Sequence, residues 1–145
     1  MKNAISVEEK LARILLMEDD LTLSYQLSLN LKKAGHTVQT CSSASAAQEE
    51  LMLADFDLLI TDVIVKVSGQ AVPDGGIGLI SWVRRQEKHC KMPIIAITGT
   101  TKFPGMEHIL STARQIGADI GMEKPIDIEY LFEKIDFLAP STSKA

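Results

Sequence analysis

The sequence predicts an α/β fold, a doubly wound parallel sheet of five strands with helices on both faces. Two observations predict it. Short apolar runs alternate five times with longer segments whose apolar residues recur at helical spacing. The runs are nearly continuous in Ile, Leu, Val and Ala, as strands covered on both faces must be. Such alternation gives a parallel sheet with crossover helices.

Each element has its own justification. Arg13-Ile-Leu-Leu-Met17 is the first strand and ends in acids. Leu21–Ala34 follows as a helix with Leu23, Leu27 and Leu31 on one face, and Gly35 is a natural stop for it. His36–Cys41 leans to β through the branched Thr37, Val38 and Thr40. Ser42–Ala54 reads as a helix with a serine cap and several alanines. Asp57-Leu-Leu-Ile-Thr61 is the third strand and runs into Asp62. Gly78–His89 is the next helix, Pro93–Thr98 the fourth strand, and Met106–Ile116 the fourth helix, stopped by Gly117. Asp119–Glu123 and Ile126–Leu138 complete the series as strand and amphipathic helix. Residues 1–11 form a lead-in, 12–138 the domain, and 139–145 a small, polar tail. Right-handed crossovers leave few topologies, and the flavodoxin-like order 2-1-3-4-5 is a standard one for five strands.

Composition bounds the partners. The 145 residues suit one domain, and 46 % hydrophobic residues suffice for a core. A formal net charge of -4 argues against nucleic acid or an anionic membrane as a partner of the bulk surface. Cys41 and Cys90 fit neither a zinc site nor a disulfide framework and read as free thiols in a reducing compartment. The first ten residues lack the apolar stretch of a signal peptide, and no run approaches the ~18 residues of a membrane span. The expectation is a cytoplasmic, soluble protein that contacts neither nucleic acid nor membrane directly.

In doubly wound sheets, ligands sit beyond the carboxyl ends of the strands, where strand order reverses. Glu18, Asp19 and Asp20 follow the first strand, Asp62 the third, Thr98 and Gly99 the fourth, Lys124 and Pro125 the fifth. Each alone has an ordinary explanation: an acid there caps the next helix, a threonine reflects β propensity, a lysine is solvated. Together they bring carboxylates, a hydroxyl and an ammonium to one rim. Clustered carboxylates repel and raise one another's pKa. Hard oxygens in small number suit Mg²⁺, which retains waters and takes one or two carboxylates plus phosphate oxygens. A lysine and a threonine beside such a metal suit the charge of a transferring phosphoryl group. No histidine or cysteine follows these four strands, which argues against zinc.

Four segments in this order resemble the receiver domain of two-component response regulators, the CheY-like superfamily: Ile14-Leu-Leu-Met-Glu-Asp-Asp20, Phe56-Asp-Leu-Leu-Ile-Thr-Asp62, Pro93-Ile-Ile-Ala-Ile-Thr-Gly99 and Glu123-Lys-Pro125. Gly117-Ala-Asp119 also fits, and the resemblance runs from about Ala12 to Leu138. It implies that Asp62 accepts a phosphoryl group from a phosphohistidine on a sensor histidine kinase or a histidine phosphotransfer protein. Asp19 would ligate Mg²⁺ directly, Glu18 would act nearby through water, and the backbone carbonyl of Ile64 would complete the protein's share of the shell. Thr98 would hydrogen-bond the phosphoryl group, Lys124 would pair with it, and Pro125 would shape the turn that aims Lys124. Asp20 would cap a helix, and small Gly99 would leave space above the acceptor. The added charge would alter a face formed by the fourth helix, fifth strand and fifth helix, and with it the affinity for a downstream protein. Such a protein catalyses only its own phosphorylation and dephosphorylation.

Two features depart from the family pattern. Family members usually carry an aromatic switch residue three places before the lysine, where this chain has Gly121; Met122 or Phe103 are the nearby substitutes. The segment after Asp62 is also long, with an insertion around 65–73 before Asp74-Gly75-Gly76. It reads either as a small hairpin beside the site or as a mobile surface insertion. As a flap, helped by the apolar side chain of Ile64, it would shield an acyl phosphate from water and slow self-hydrolysis.

The length leaves no room for an output domain, so the chain would act by binding a partner or passing its phosphoryl group on; a receiver cut from a longer protein is the other possibility. Two rival functions remain. A Mg²⁺-dependent phosphatase or phosphotransferase of the haloacid-dehalogenase type needs an Asp two places after its nucleophile, and Ile64 stands there. A degenerate receiver that only binds partners is disfavoured by the intact acids, Thr98 and Lys124, and kept open by Gly121.

Overall fold

The computed structural model describes residues 11–63, 65–67, 70–72, 74–99 and 108–139. In chain order the elements are β1 (Arg13–Met17), α1 (Leu21–Lys33), β2 (Thr37–Cys41), α2 (Ala44–Leu53), β3 (Leu58–Asp62), β4 (Val65–Val67), β5 (Gln70–Val72), α3 (Asp74–Arg85), β6 (Ile94–Thr98), α4 (Ile109–Ile116), β7 (Ile120–Glu123) and α5 (Ile128–Leu138). Five strands form one parallel sheet in the order β2-β1-β3-β6-β7. With the separate β4–β5 pair set aside, this is the expected 2-1-3-4-5 order.

Alternation along the inner strands divides the core in two. Leu15, Met17, Leu59, Ile94 and Ala96 face one side, with Leu51 of α2, Leu79, Ile80 and Val83 of α3, and Ala113 of α4. Ile14, Leu16, Leu58, Ile60, Ile95 and Ile97 face the other, with Leu27 and Leu31 of α1 and Leu131 and Ile135 of α5. Each fully buried aliphatic side chain contributes about 1.5–3 kcal/mol. Every position of β3 and β6 is buried. The edge strand β2 instead exposes Thr37, Gln39 and Thr40, so it is β by branching and pairing rather than by burial.

Helix ends follow side-chain chemistry. Asp20 Oδ1 accepts from the Thr22 and Leu23 amides, Ser43 Oγ from Ala46, and Asp127 Oδ1 from Glu129 and Tyr130. Gly35 follows α1 with φ +101°, a conformation that suits glycine.

Most boundaries fall within two residues of expectation, and those of α3 differ by more. α3 begins at Asp74 rather than Gly78 and ends at Arg85 rather than His89. Glycines disfavour helix, but Gly76 has a tertiary reason: a Cβ there would lie 2.6 Å from Val63 Cα. At the other end, Arg84 donates to the carbonyls of Cys90, Met92 and Gly117 and to Asp119 Oδ2. That hub pulls the chain after Arg85 into turns, and the His89 ring nitrogen Nε2 meets Leu51 O at 2.8 Å. α4 is described from Ile109; Met106 lies outside the described residues. Within the insertion after Asp62, β4 and β5 pair antiparallel, with Val65 opposite Val72 and Val67 opposite Gln70.

Candidate functional site at the carboxyl edge of the sheet

The topology puts the ends of β1, β3, β6 and β7 side by side. Met17 pairs with Thr61 across β1–β3, Asp62 with Ile97 across β3–β6, and Thr98 with Glu123 across β6–β7. Glu18, Asp62, Thr98 and Lys124 therefore meet at one rim, as the spacing predicts. Glu18 is 1 % exposed, Asp62 3 % and Thr98 0 %.

Carboxylate oxygens of Glu18, Asp19 and Asp62 lie within 4.8 Å of one another. Lys124 Nζ reaches in from β7, 3.0 Å from Asp62 Oδ2 and 3.3 Å from Glu18 Oε2, donating to both. Its reach is set by its backbone, whose amide donates to Thr98 O at 2.8 Å. The Lys124–Pro125 peptide bond is cis. Glu18 Oε2 also accepts from the Asp20 amide at 3.0 Å. Glu18 Oε1 is buried and lies 3.1 Å from the ammonium, but accepts no hydrogen bond among the described residues.

The electrostatics follow from burial. Removal from water, and then the charge of Asp62, push the Glu18 carboxyl up from 4.5 to about 7, against the pull of the Asp20 amide and Lys124. Burial alone would lower the Lys124 ammonium; Asp62 and Glu18 overcome that and raise it. The cluster thus carries more negative charge than one ammonium offsets. A divalent hard cation fits this donor set: the oxygens are carboxylate, they converge, and buried Glu18 Oε1 has no hydrogen-bond donor among the described residues.

Cys41 lies closer to the rim than the sequence suggests. It ends β2, and its carbonyl accepts from the Glu18 amide at 3.0 Å. Burial, and then Glu50, raise its thiol to about 12, which keeps it protonated and unsuited to bind metal. Gly99 makes room for the lysine stem, since a Cβ there would meet Lys124 Cδ at 3.3 Å. A Cβ on Gly121 would lie 3.2–3.5 Å from the Leu110 side chain, so a side chain at this position would press on α4. Met122 is buried in the core shared by α1 and α5. Ile64 and Phe103, expected near the site, lie outside the described residues. Sequence reasoning missed two backbone contacts, Asp20 N–H to Glu18 and Gly76 against Val63, because neither leaves a side-chain signature.

The chain matches the model of the response regulator receiver domain over residues 14–136. It belongs to that family. Among curated proteins, the receiver is 27 % identical to the DNA-binding dual master transcriptional regulator RpaA of Synechocystis sp., over 91 % of this chain and 51 % of that protein. It is 29 % identical to the response regulator protein PmrA of Pseudomonas aeruginosa, over 90 % of this chain and 54 % of that protein. The receiver thus spans about half the length of these relatives. A putative response regulator from Chloroflexus aurantiacus has the same fold, with a TM-score of 0.76 at 24 % identity, over 88 % of this chain and 97 % of that one. The receiver's role is that of a phosphoacceptor in two-component signalling. No helix among its described residues is long and apolar enough to cross a membrane.

Proposed function

We propose that Asp62 takes a phosphoryl group from a phosphohistidine in a Mg²⁺-dependent reaction, and that the charged form binds a downstream protein differently. The observation that carries this is the convergence of Glu18, Asp19 and Lys124 on the buried Asp62 carboxylate. An Asp62 carboxylate oxygen attacks phosphorus, the P–N bond breaks, and its electron pair leaves with the histidine nitrogen. Asp19 would hold the cation, with Glu18 beside it; Mg²⁺ when bound supplies positive charge to the acids and the phosphoryl oxygens. Lys124, already bonded to Asp62, would move its ammonium to a phosphoryl oxygen, and the Thr98 hydroxyl would donate to another. The chain would turn over no other substrate.

The donor is a sensor histidine kinase or a histidine phosphotransfer protein. Leu21, Tyr25 and Leu29 are exposed at one-turn intervals along α1, directly beyond the acidic pair. They offer an apolar strip on which a donor helix can lie. The downstream partner would read the α4-β7-α5 face.

Incubation with Mg²⁺ and acetyl phosphate, followed by intact-mass measurement, tests the reading. A phosphoryl-sized gain that disappears in Asp62→Asn supports it. No gain in a folded protein favours a module that only binds partners, and turnover of a small phosphate ester favours an enzyme.

A further inference from the structure

Asp20 has no part in the chemistry above. It is exposed, and its carboxylate is not in the Glu18–Asp19–Asp62 cluster. Its side chain turns to the helix instead: Oδ1 accepts from Thr22 N at 3.0 Å and Leu23 N at 3.2 Å. Its carbonyl accepts from Ser24 N at 2.9 Å, with φ -81° and ψ 109° at the cap. Both ends of the residue are thereby tied to α1. What remains is the amide N–H, which donates to Glu18 Oε2 at 3.0 Å.

Among the described residues, the Glu18 carboxylate accepts hydrogen bonds from this amide and from the Lys124 ammonium. The two differ in kind. Lys124 also bonds Asp62, the proposed acceptor. The Asp20 amide belongs to a residue held by the α1 cap and makes no bond to the acceptor.

We propose that Asp20 is a positioning residue for the metal-binding acids: its cap locks the peptide that aims Glu18, and its negative charge is incidental. This rests on the reading of Glu18 as part of a Mg²⁺ site. The inference separates geometry from charge, because asparagine and serine also cap helices.

The experiment compares Asp20→Ala, Asp20→Asn and Asp20→Ser with the wild type by calorimetric titration with Mg²⁺, after circular dichroism has shown each to be folded. Loss of a partner that orients a ligand weakens metal affinity by about tenfold or more. Asp20→Ala is expected to show that loss, and Asn and Ser to stay within about twofold of wild type, since both restore the cap. Unchanged affinity in Asp20→Ala overturns the proposal, as does Asp20→Asn falling as far as Asp20→Ala, which would assign the effect to charge. A wild type that binds no Mg²⁺ overturns the metal reading itself, and this proposal with it.

Discussion

Replacing Glu18 by Gln keeps the shape of the side chain and removes its charge. In the folded chain the carboxyl is buried against Asp62, which raises its pKa from 4.5 to about 7. A carboxyl raised on folding binds its proton more tightly in the native state, so its contribution is complete below about pH 4.5 and is lost as pH rises through about 7. At about 1.4 kcal/mol per pH unit, the interval from 4.5 to 7 amounts to roughly 3 kcal/mol withheld from the wild type at pH 8. Glutamine stands in for the protonated acid and escapes that loss. In chelator at pH 8, Glu18→Gln should therefore be more stable than wild type by roughly 2–3 kcal/mol, an acid site trading stability for function. With a urea slope of about 2 kcal/mol/M, the midpoint should rise by about 1 M. Toward pH 5 the gap should shrink to under about 1 kcal/mol. Mg²⁺ should raise the wild-type midpoint by more than that of the variant. A variant no more stable than wild type at pH 8, or a gap independent of pH, would refute the account of a frustrated carboxylate.

Other elements make separate predictions. Arg84→Met strips three carbonyls of a charged donor and should destabilise by about 3 kcal/mol, roughly 1 kcal/mol for each; Asp119→Asn, which weakens a partly exposed pair with Arg84 and keeps an amide oxygen to accept from the Ile94 N–H, should cost less than about 1 kcal/mol by urea unfolding. Tyr25→Asp, on the exposed strip of α1, should slow phosphotransfer from a phosphohistidine protein by about tenfold or more and leave labelling by acetyl phosphate unchanged; equal slowing with both donors would rule the strip out as a docking surface. Deletion of Lys66–Ala71, which removes most of both paired strands, should shorten the lifetime of the phosphorylated form, followed by mass spectrometry; an unchanged lifetime would deny the β4–β5 pair a shielding role.

How far the sequence reveals this molecule depends on which interactions are local. Strand order was legible because β1, β3 and β6 are buried on both faces and say so in continuous Ile and Leu. The rim was legible because Glu18, Asp62, Thr98 and Lys124 each end a strand. β2 was readable only through branched residues, since an edge strand need not be apolar. The start of α3 was not readable: Gly75, Gly76 and Gly78 disfavour helix, and the close approach of Gly76 to Val63 is a contact between segments. The pairing of 65–67 with 70–72 was not fixed by the sequence, because a segment that alternates apolar and polar residues only in part does not fix its own pairing. The approach of the Lys124 stem to Gly99 was not readable either, since its path depends on β7 lying next to β6.

Gly121 and Leu110 occupy what is in effect a single volume divided between a strand and a helix. In evolutionary terms the two positions are not independent. A substitution that restores a ring at position 121 meets Leu110 first, and one that shrinks position 110 alone opens a hole beside a glycine. A ring at position 121 therefore calls for the Leu110 side chain to give way.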